Sequence, residues 1–226
     1  MLNQKCEIKK MWRIFATGSK SVLELRALWP KGVPNARPPV NLHFRANKYK
    51  SIDELKVAFE AAALELNAQG FNIYTVMNPI SSSFAGPGCA RDVDIAYRDL
   101  LLVDIDRIGN TSCPADQQEL DAAMALAKRI RDYMSARGWG DPIVVMSGNG
   151  YHLYYVLGHA PKDDDFTALV RTTLKNLATA FNNDIVGVDT TVYNASRITK
   201  VPGTIMRKGV ETADRPYRMA EVCDEE

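Results

Sequence analysis

The sequence predicts an α+β fold built around a largely antiparallel sheet. Three stretches with helical spacing are interspersed with apolar runs of strand length. They do not repeat as regular strand–helix units, which argues against a doubly wound sheet. With 226 residues, the chain is long enough to bury a substantial core as one large domain or two small modules.

In chain order, Val22–Leu28 reads as a strand. Residues 30–39, rich in Pro, Gly and basic side chains, read as a loop. Ser51-Ile-Asp-Glu54 has the form of a capping box, followed by Leu55, Phe59, Ala62 and Leu66 on one helical face. Ile73–Met77 is a second strand, and residues 81–88 (SSSFAGPG) form a long connection expected to be flexible. Leu100–Ile105 is a third strand. A helix is expected from near Pro114, with Leu120, Met124, Ala127, Ile130 and Met134 on one face, stopping at Gly138. Ile143–Met146 and Tyr151–Leu157 are strands, and a last helix starts around Asp163–Asp165 and runs through Phe181.

Charge is unevenly distributed. Residues 1–50 carry eleven Lys and Arg against Glu7 and Glu24, whereas the remaining 176 residues carry 17 basic and 25 acidic side chains. A basic block beside an acidic one points to a polyanion on one side and bound cations on the other. No apolar run approaches the roughly 20 residues of a membrane helix, and the opening MLNQKCEIKK lacks the apolar core of a signal peptide. A cytoplasmic location with no membrane partner is expected. Cys6, Cys89, Cys113 and Cys223 form no C-x-x-C pair and have no histidine at ligand spacing, so they read as reduced thiols and no zinc is expected.

Three segments carry chemistry. In Leu100-Leu-Leu-Val-Asp104-Ile-Asp106, two carboxylates follow an apolar strand at i and i+2, hence on one face. Like charges held that close repel, and a divalent cation with oxygen ligands, Mg2+ or Mn2+, relieves the repulsion. In Met146-Ser147-Gly148-Asn149-Gly150-Tyr151-His152, two glycines flanking one residue between apolar strands make a tight hairpin. Such a backbone can aim N–H groups at an anion, with Ser147 and His152 as further donors. In the third segment, Asp189 follows an apolar dipeptide, and Arg197 and Lys200 lie among apolar and hydroxyl residues, suited to binding phosphates.

The order LLVDID, SGNGYH, VD and SRITKVPGT resembles the archaeo-eukaryotic primase superfamily, in particular the primase–polymerase domains of plasmid, phage and other mobile-element replication proteins. The match covers roughly residues 99–208. The resemblance implies a primase–polymerase fold: an RRM-like, mainly antiparallel catalytic sheet with a mixed N-terminal module packed against it. The whole chain is then one catalytic domain, with a basic module at 1–98, the metal and nucleotide site at 99–215 and an acidic tail at 216–226. The implied activity is template-directed nucleotidyl transfer with two divalent ions held by Asp104, Asp106 and Asp189. Nucleoside triphosphate would be bound by Ser147, Gly148, Asn149, Gly150, His152, Arg197 and Lys200.

The expected partners are single-stranded DNA template and primer, nucleoside triphosphates and a replicative helicase, to which such domains are often fused. Arg13, Arg45, Lys48 and Lys50, near Trp12, Phe44 and Tyr49, are the candidate template surface, cations following the strand while aromatics stack on bases. Two rival readings explain part of the pattern. A glycosyltransferase uses D-x-D to hold a nucleotide sugar but does not call for the Gly-Asn-Gly-Tyr-His hairpin. A non-catalytic replication protein with a primase-like fold has no need of three clustered carboxylates.

Overall fold

A computed structural model describes residues 2–15, 22–109 and 111–223. The chain runs α1 (Leu2–Lys10), α2 (Trp12–Phe15), β1 (Val22–Leu28), β2 (Val40–Arg45), α3 (Ile52–Ala68), β3 (Asn72–Val76), β4 (Arg98–Arg107), α4 (Gln117–Ser135), β5 (Ile143–Met146) and β6 (Tyr151–Ala160). It continues through α5 (Asp164–Phe181), β7 (Val186–Val188), β8 (Ile198–Lys200), β9 (Ile205–Met206), β10 (Arg218–Met219) and β11 (Glu221–Cys223).

Two antiparallel sheets organise these elements. One has the order β2-β1-β3-β8, the other β11-β5-β6-β4-β7, and β9 pairs with β10 as a separate ribbon. The fold is therefore α+β and mainly antiparallel, as expected. The first sheet takes its last strand, β8, from the C-terminal half of the chain, so the two sheets are tied together across residue 98. α3 lies against β1, β2 and β3, while α4 lies against β4, β6 and β7. The main apolar core runs through both sheets, including Leu25, Phe59, Ile73, Val103, Ile105, Leu153 and Leu174, and a smaller cluster lies around Val22, Val76 and Ile95.

Local chemistry sets the helix ends. Ser51 Oγ accepts from the Glu54 N–H at 3.2 Å, and Glu54 takes the Lys50 N–H at 2.7 Å. α4 starts at Gln117, three residues past Pro114, because Asp116 and Glu119 form a reciprocal capping box there. Gly138, at φ +84°, accommodates the left-handed turn that ends it.

Two expectations need revising, and one element was not foreseen. Residues 81–88 are anchored: Phe84 packs with Val22, Val76, Ile80 and Ile95, and Arg45 donates to the Phe84 and Ala85 carbonyls at 2.7 and 2.9 Å. The stretch expected as an acidic tail contains β10 and β11, and β11 pairs with β5; residues 224–226 lie outside the described residues. The N-terminal residues form α1, whose Ile8 backbone packs on Gly203 and whose Glu7 carboxylate accepts the Val222 N–H at 2.6 Å.

Candidate active site

A cleft of about 300 Å³ opens between the two sheets. Leu28 and Tyr74 reach it from β1 and β3, and Ile198, Thr199 and Lys200 from β8. Leu102, Asp104 and Asp106 line it from β4, and His152 from β6. Strand alternation puts Leu102, Asp104 and Asp106 on the same face of β4. β7 runs antiparallel to β4 with Ile105 opposite Val188, so the chain leaving β7 brings Asp189 alongside. The Asp189 N–H donates to the Asp104 carbonyl at 2.8 Å. The three aspartates, His152, Arg197 and Lys200 thus share this cleft.

Asp106 carries an electrostatic penalty. Burial pushes the Asp106 carboxyl above the usual range, and the Asp104 charge adds to the shift, while Lys208 pulls it back. Asp106 Oδ1 accepts the Arg107 N–H and Asp189 Oδ1 the Thr191 N–H, both at 2.8 Å. Among the described residues, no three His, Cys, Asp or Glu side chains stand ready as a group to hold a metal ion. Mg2+ does not require such a cage, since it keeps several waters and binds through one or two carboxylates plus substrate phosphates. An all-oxygen pair on one strand face fits that mode better than a closed zinc-type site.

The 147–150 hairpin forms as expected. Met146 pairs with Tyr151, the Ser147 N–H donates to the Gly150 carbonyl at 2.9 Å, and Gly148 has φ +105°. Its glycines serve close packing more than an anion cradle. A Cβ on Gly150 would lie 2.1 Å from the Ile105 carbonyl oxygen, and one on Gly148 would lie 2.4 Å from Met206 Cβ. The Gly148 N–H meets Met146 Sδ, and Ser147 Oγ donates to the Gly150 carbonyl at 3.2 Å. Asn149 Oδ1 accepts the Ala115 N–H at 2.8 Å, which ties the hairpin to the start of α4. Ser147 and Asn149 line the cleft, and His152 Nε2 sits 3.4 Å from Asp104 Oδ1.

The two predicted cations differ from each other. Arg197 reaches the Thr191 carbonyl at 2.5 Å while lining the cleft. Lys200, expected from the sequence to bind phosphate, is 2% exposed, and its Nζ donates to the Ile205 carbonyl at 3.2 Å. Burial holds its amine well below the ordinary lysine range, with Arg207 adding to the effect. Lys208, which sequence reasoning missed, also lines the cleft. It lies at the very end of the motif-bearing stretch, and only the β9 turn shows that it comes back to the carboxylates. Tyr74, paired in register with Lys200, was likewise missed; burial pushes its phenol up to about 12.

The candidate template residues do not line this cleft. Lys48 and Lys50 are exposed, as is Arg13 on α2. The aromatics expected to stack on bases are built into the core instead. Phe44 is buried edge-on to Phe59, and Trp12 also packs edge-on to Phe59 while its Nε1 donates to Glu60 at 2.7 Å.

No family model matches the chain, and no curated protein matches it. Among solved structures, it is similar to the polymerase domain from Mycobacterium tuberculosis Ligase D in complex with DNA. The TM-score is 0.53 at 17% identity, and the match covers 90% of this chain and 76% of that one. At that identity the likeness establishes the fold, that of a primase–polymerase domain.

Proposed function

We propose that this chain is a template-directed nucleotidyltransferase, a primase or DNA polymerase that acts on single-stranded DNA in the replication of a phage, plasmid or other mobile element. One observation carries the reading: three aspartates, a histidine and two cations from four separate segments line a single cleft. The polymerase fold agrees with it. Asp104, Asp106 and Asp189 would hold two divalent ions, Mg2+ or Mn2+. Such ions would supply charge stabilisation for the attacking and leaving oxygens of the transfer.

In the reaction, a 3′-hydroxyl oxygen bonds to the α-phosphorus of the incoming nucleotide, and the bond to the β-phosphate oxygen breaks to release pyrophosphate. The protein's own part is positioning and electrostatics. His152 presents its Nε2 edge at the carboxylate end of the cleft, and the Ser147 hydroxyl would join it by turning from the Gly150 carbonyl to a phosphate oxygen. Arg197 and Lys208 offset the charge of the triphosphate, and Lys200 would add to them once an entering phosphate draws a proton onto its buried amine. Exposed Lys48 and Lys50 provide a path for the template backbone.

The test is incubation with single-stranded DNA, each nucleotide pool and Mg2+ or Mn2+, with and without a primer. Incorporation that depends on template and metal, and vanishes in Asp104→Ala, is expected. Transfer from a nucleotide sugar without template would overturn the reading, as would nucleic-acid binding with no incorporation under any of these conditions.

A further inference from the structure

The geometry points to Tyr154 and Thr199 as positioning residues that hold His152 in the Nε2–H tautomer, with its proton directed to the carboxylate side of the cleft. The inference deepens the proposed function and rests on it only where nucleotide is concerned.

His152 and Tyr154 lie two apart on β6, hence on the same face, while Thr199 comes from β8 of the other sheet. His152 Nδ1 stands 3.0 Å from Tyr154 Oη and 3.2 Å from Thr199 Oγ1, and the two hydroxyls also contact each other. All three residues are buried, at 7%, 0% and 2% exposure. The opposite ring nitrogen, Nε2, faces Asp104 Oδ1 at 3.4 Å.

A neutral imidazole carries one proton and offers one lone pair. With the proton on Nδ1, the Nε2 lone pair would point at carboxylate oxygens that are acceptors only. With the proton on Nε2, every group is matched. One hydroxyl donates to Nδ1, the second donates to the oxygen of the first, and Nε2–H points towards Asp104. Burial drives the Tyr154 phenol far above its ordinary range, so it remains a proton donor throughout the working pH range. The partner of one ring nitrogen sets what the other can do.

The chain has three histidines, so 15N-histidine labelling is tractable, with His152→Ala to assign the ring. At a pH where the ring is neutral, the wild-type protein should show a protonated Nε2 and a lone-pair Nδ1. Thr199→Val, nearly isosteric, should move the two nitrogens towards averaged values, more so combined with Tyr154→Phe, and Thr199→Ser should restore them. A wild-type ring protonated at Nδ1, or a double variant with unchanged nitrogen shifts, overturns the inference.

A second arm uses a non-hydrolysable nucleoside triphosphate. The Tyr154→Phe/Thr199→Val pair should weaken its binding roughly tenfold, with no further loss when placed in His152→Ala. An equal loss in both backgrounds would show a merely structural role and also overturn it. The nitrogen shifts need no activity. If they come out as expected while the wild type incorporates no nucleotide, the positioning stands and the proposed function falls.

Discussion

Asp104 and His152 face each other across the β4–β6 register, with Oδ1 of the acid 3.4 Å from Nε2 of the ring. The histidine thus sits between a carboxylate and the space where phosphates would enter. A hydrogen bond to a charged group contributes about 1.5–3 kcal/mol, or roughly 10–100-fold in affinity. His152→Ala is accordingly expected to raise the KM for nucleotide by that factor with the fold intact. Steady-state kinetics checks it; an unchanged KM and kcat would reduce His152 to a packing residue.

Asp106 carries the cost of its site. Its folded pKa lies above its unfolded value, through burial first and the Asp104 charge second. Between those values the folded state binds more protons, so stability falls as pH rises through the window and stays low at neutral pH. Asp106→Asn removes that cost. At pH 7 without divalent ions it should raise the melting midpoint by about 2–4 °C, while abolishing metal-dependent incorporation. Added Mn2+ should stabilise the wild type and leave the variant unmoved. A variant less stable than wild type at pH 7 would contradict this account.

Lys200 presents the opposite case. Its folded pKa is depressed, so between that value and the 10.5 of an exposed lysine the unfolded chain binds more protons. Stability therefore rises with pH across that window. Lys200→Met keeps most of the volume and removes the slope. Denaturant unfolding across the alkaline range checks this, and nucleotide affinity should fall about tenfold if the amine meets phosphate. A variant with the wild-type pH slope would show that the buried amine is already charged.

The contrast between Lys200 and Asp104 shows what the sequence makes legible. Two acids at i and i+2 after four apolar residues signal a shared strand face, and the structure places both along one cleft. The Gly-Asn-Gly hairpin follows from equally local rules, whereas Asp189 reaches the site only through the pairing of β7 with β4. Lys200 sits on a three-residue strand, too short to display a period, so its burial could not be foreseen. The same holds for β7, β9, β10 and β11, which exist through pairing with distant strands. α1 was missed because its few apolar residues make no clear face; it is held by contacts with Gly203 and Val222 that only the fold supplies. Thr199 lies within the SRITKVPGT stretch, but its contact with His152 depends on how the two sheets meet.

Template binding is expected to depend on Lys48 and Lys50, both exposed near the start of α3. Lys48→Glu with Lys50→Glu should weaken single-stranded DNA binding and flatten its salt dependence, by about 0.7 in the log–log slope for each phosphate no longer neutralised. Arg45→Ala should act differently. Its guanidinium is already engaged with the Phe84 and Ala85 carbonyls, so the variant should loosen residues 81–88, seen as faster amide exchange there. Unchanged salt slopes in the double variant would remove this surface from the template path.

Gly150 sets how closely the hairpin approaches the carboxylates. A Cβ there would stand 2.1 Å from the Ile105 carbonyl oxygen and 3.2 Å from Asp106 Cα, and neither is the far end of a flexible side chain. Gly150→Ala must therefore push the hairpin off β4. Overpacking of this kind costs about 1–3 kcal/mol, and it moves His152 relative to Asp104 as well. The expected result is a lower melting midpoint together with a raised KM for nucleotide. Gly140→Ala is the control, since nothing lies within 4 Å of a Cβ at that position. It should leave both measurements unchanged. If Gly150→Ala matched wild type in stability and KM, the tight seating of the hairpin on β4 would have no part in forming the site.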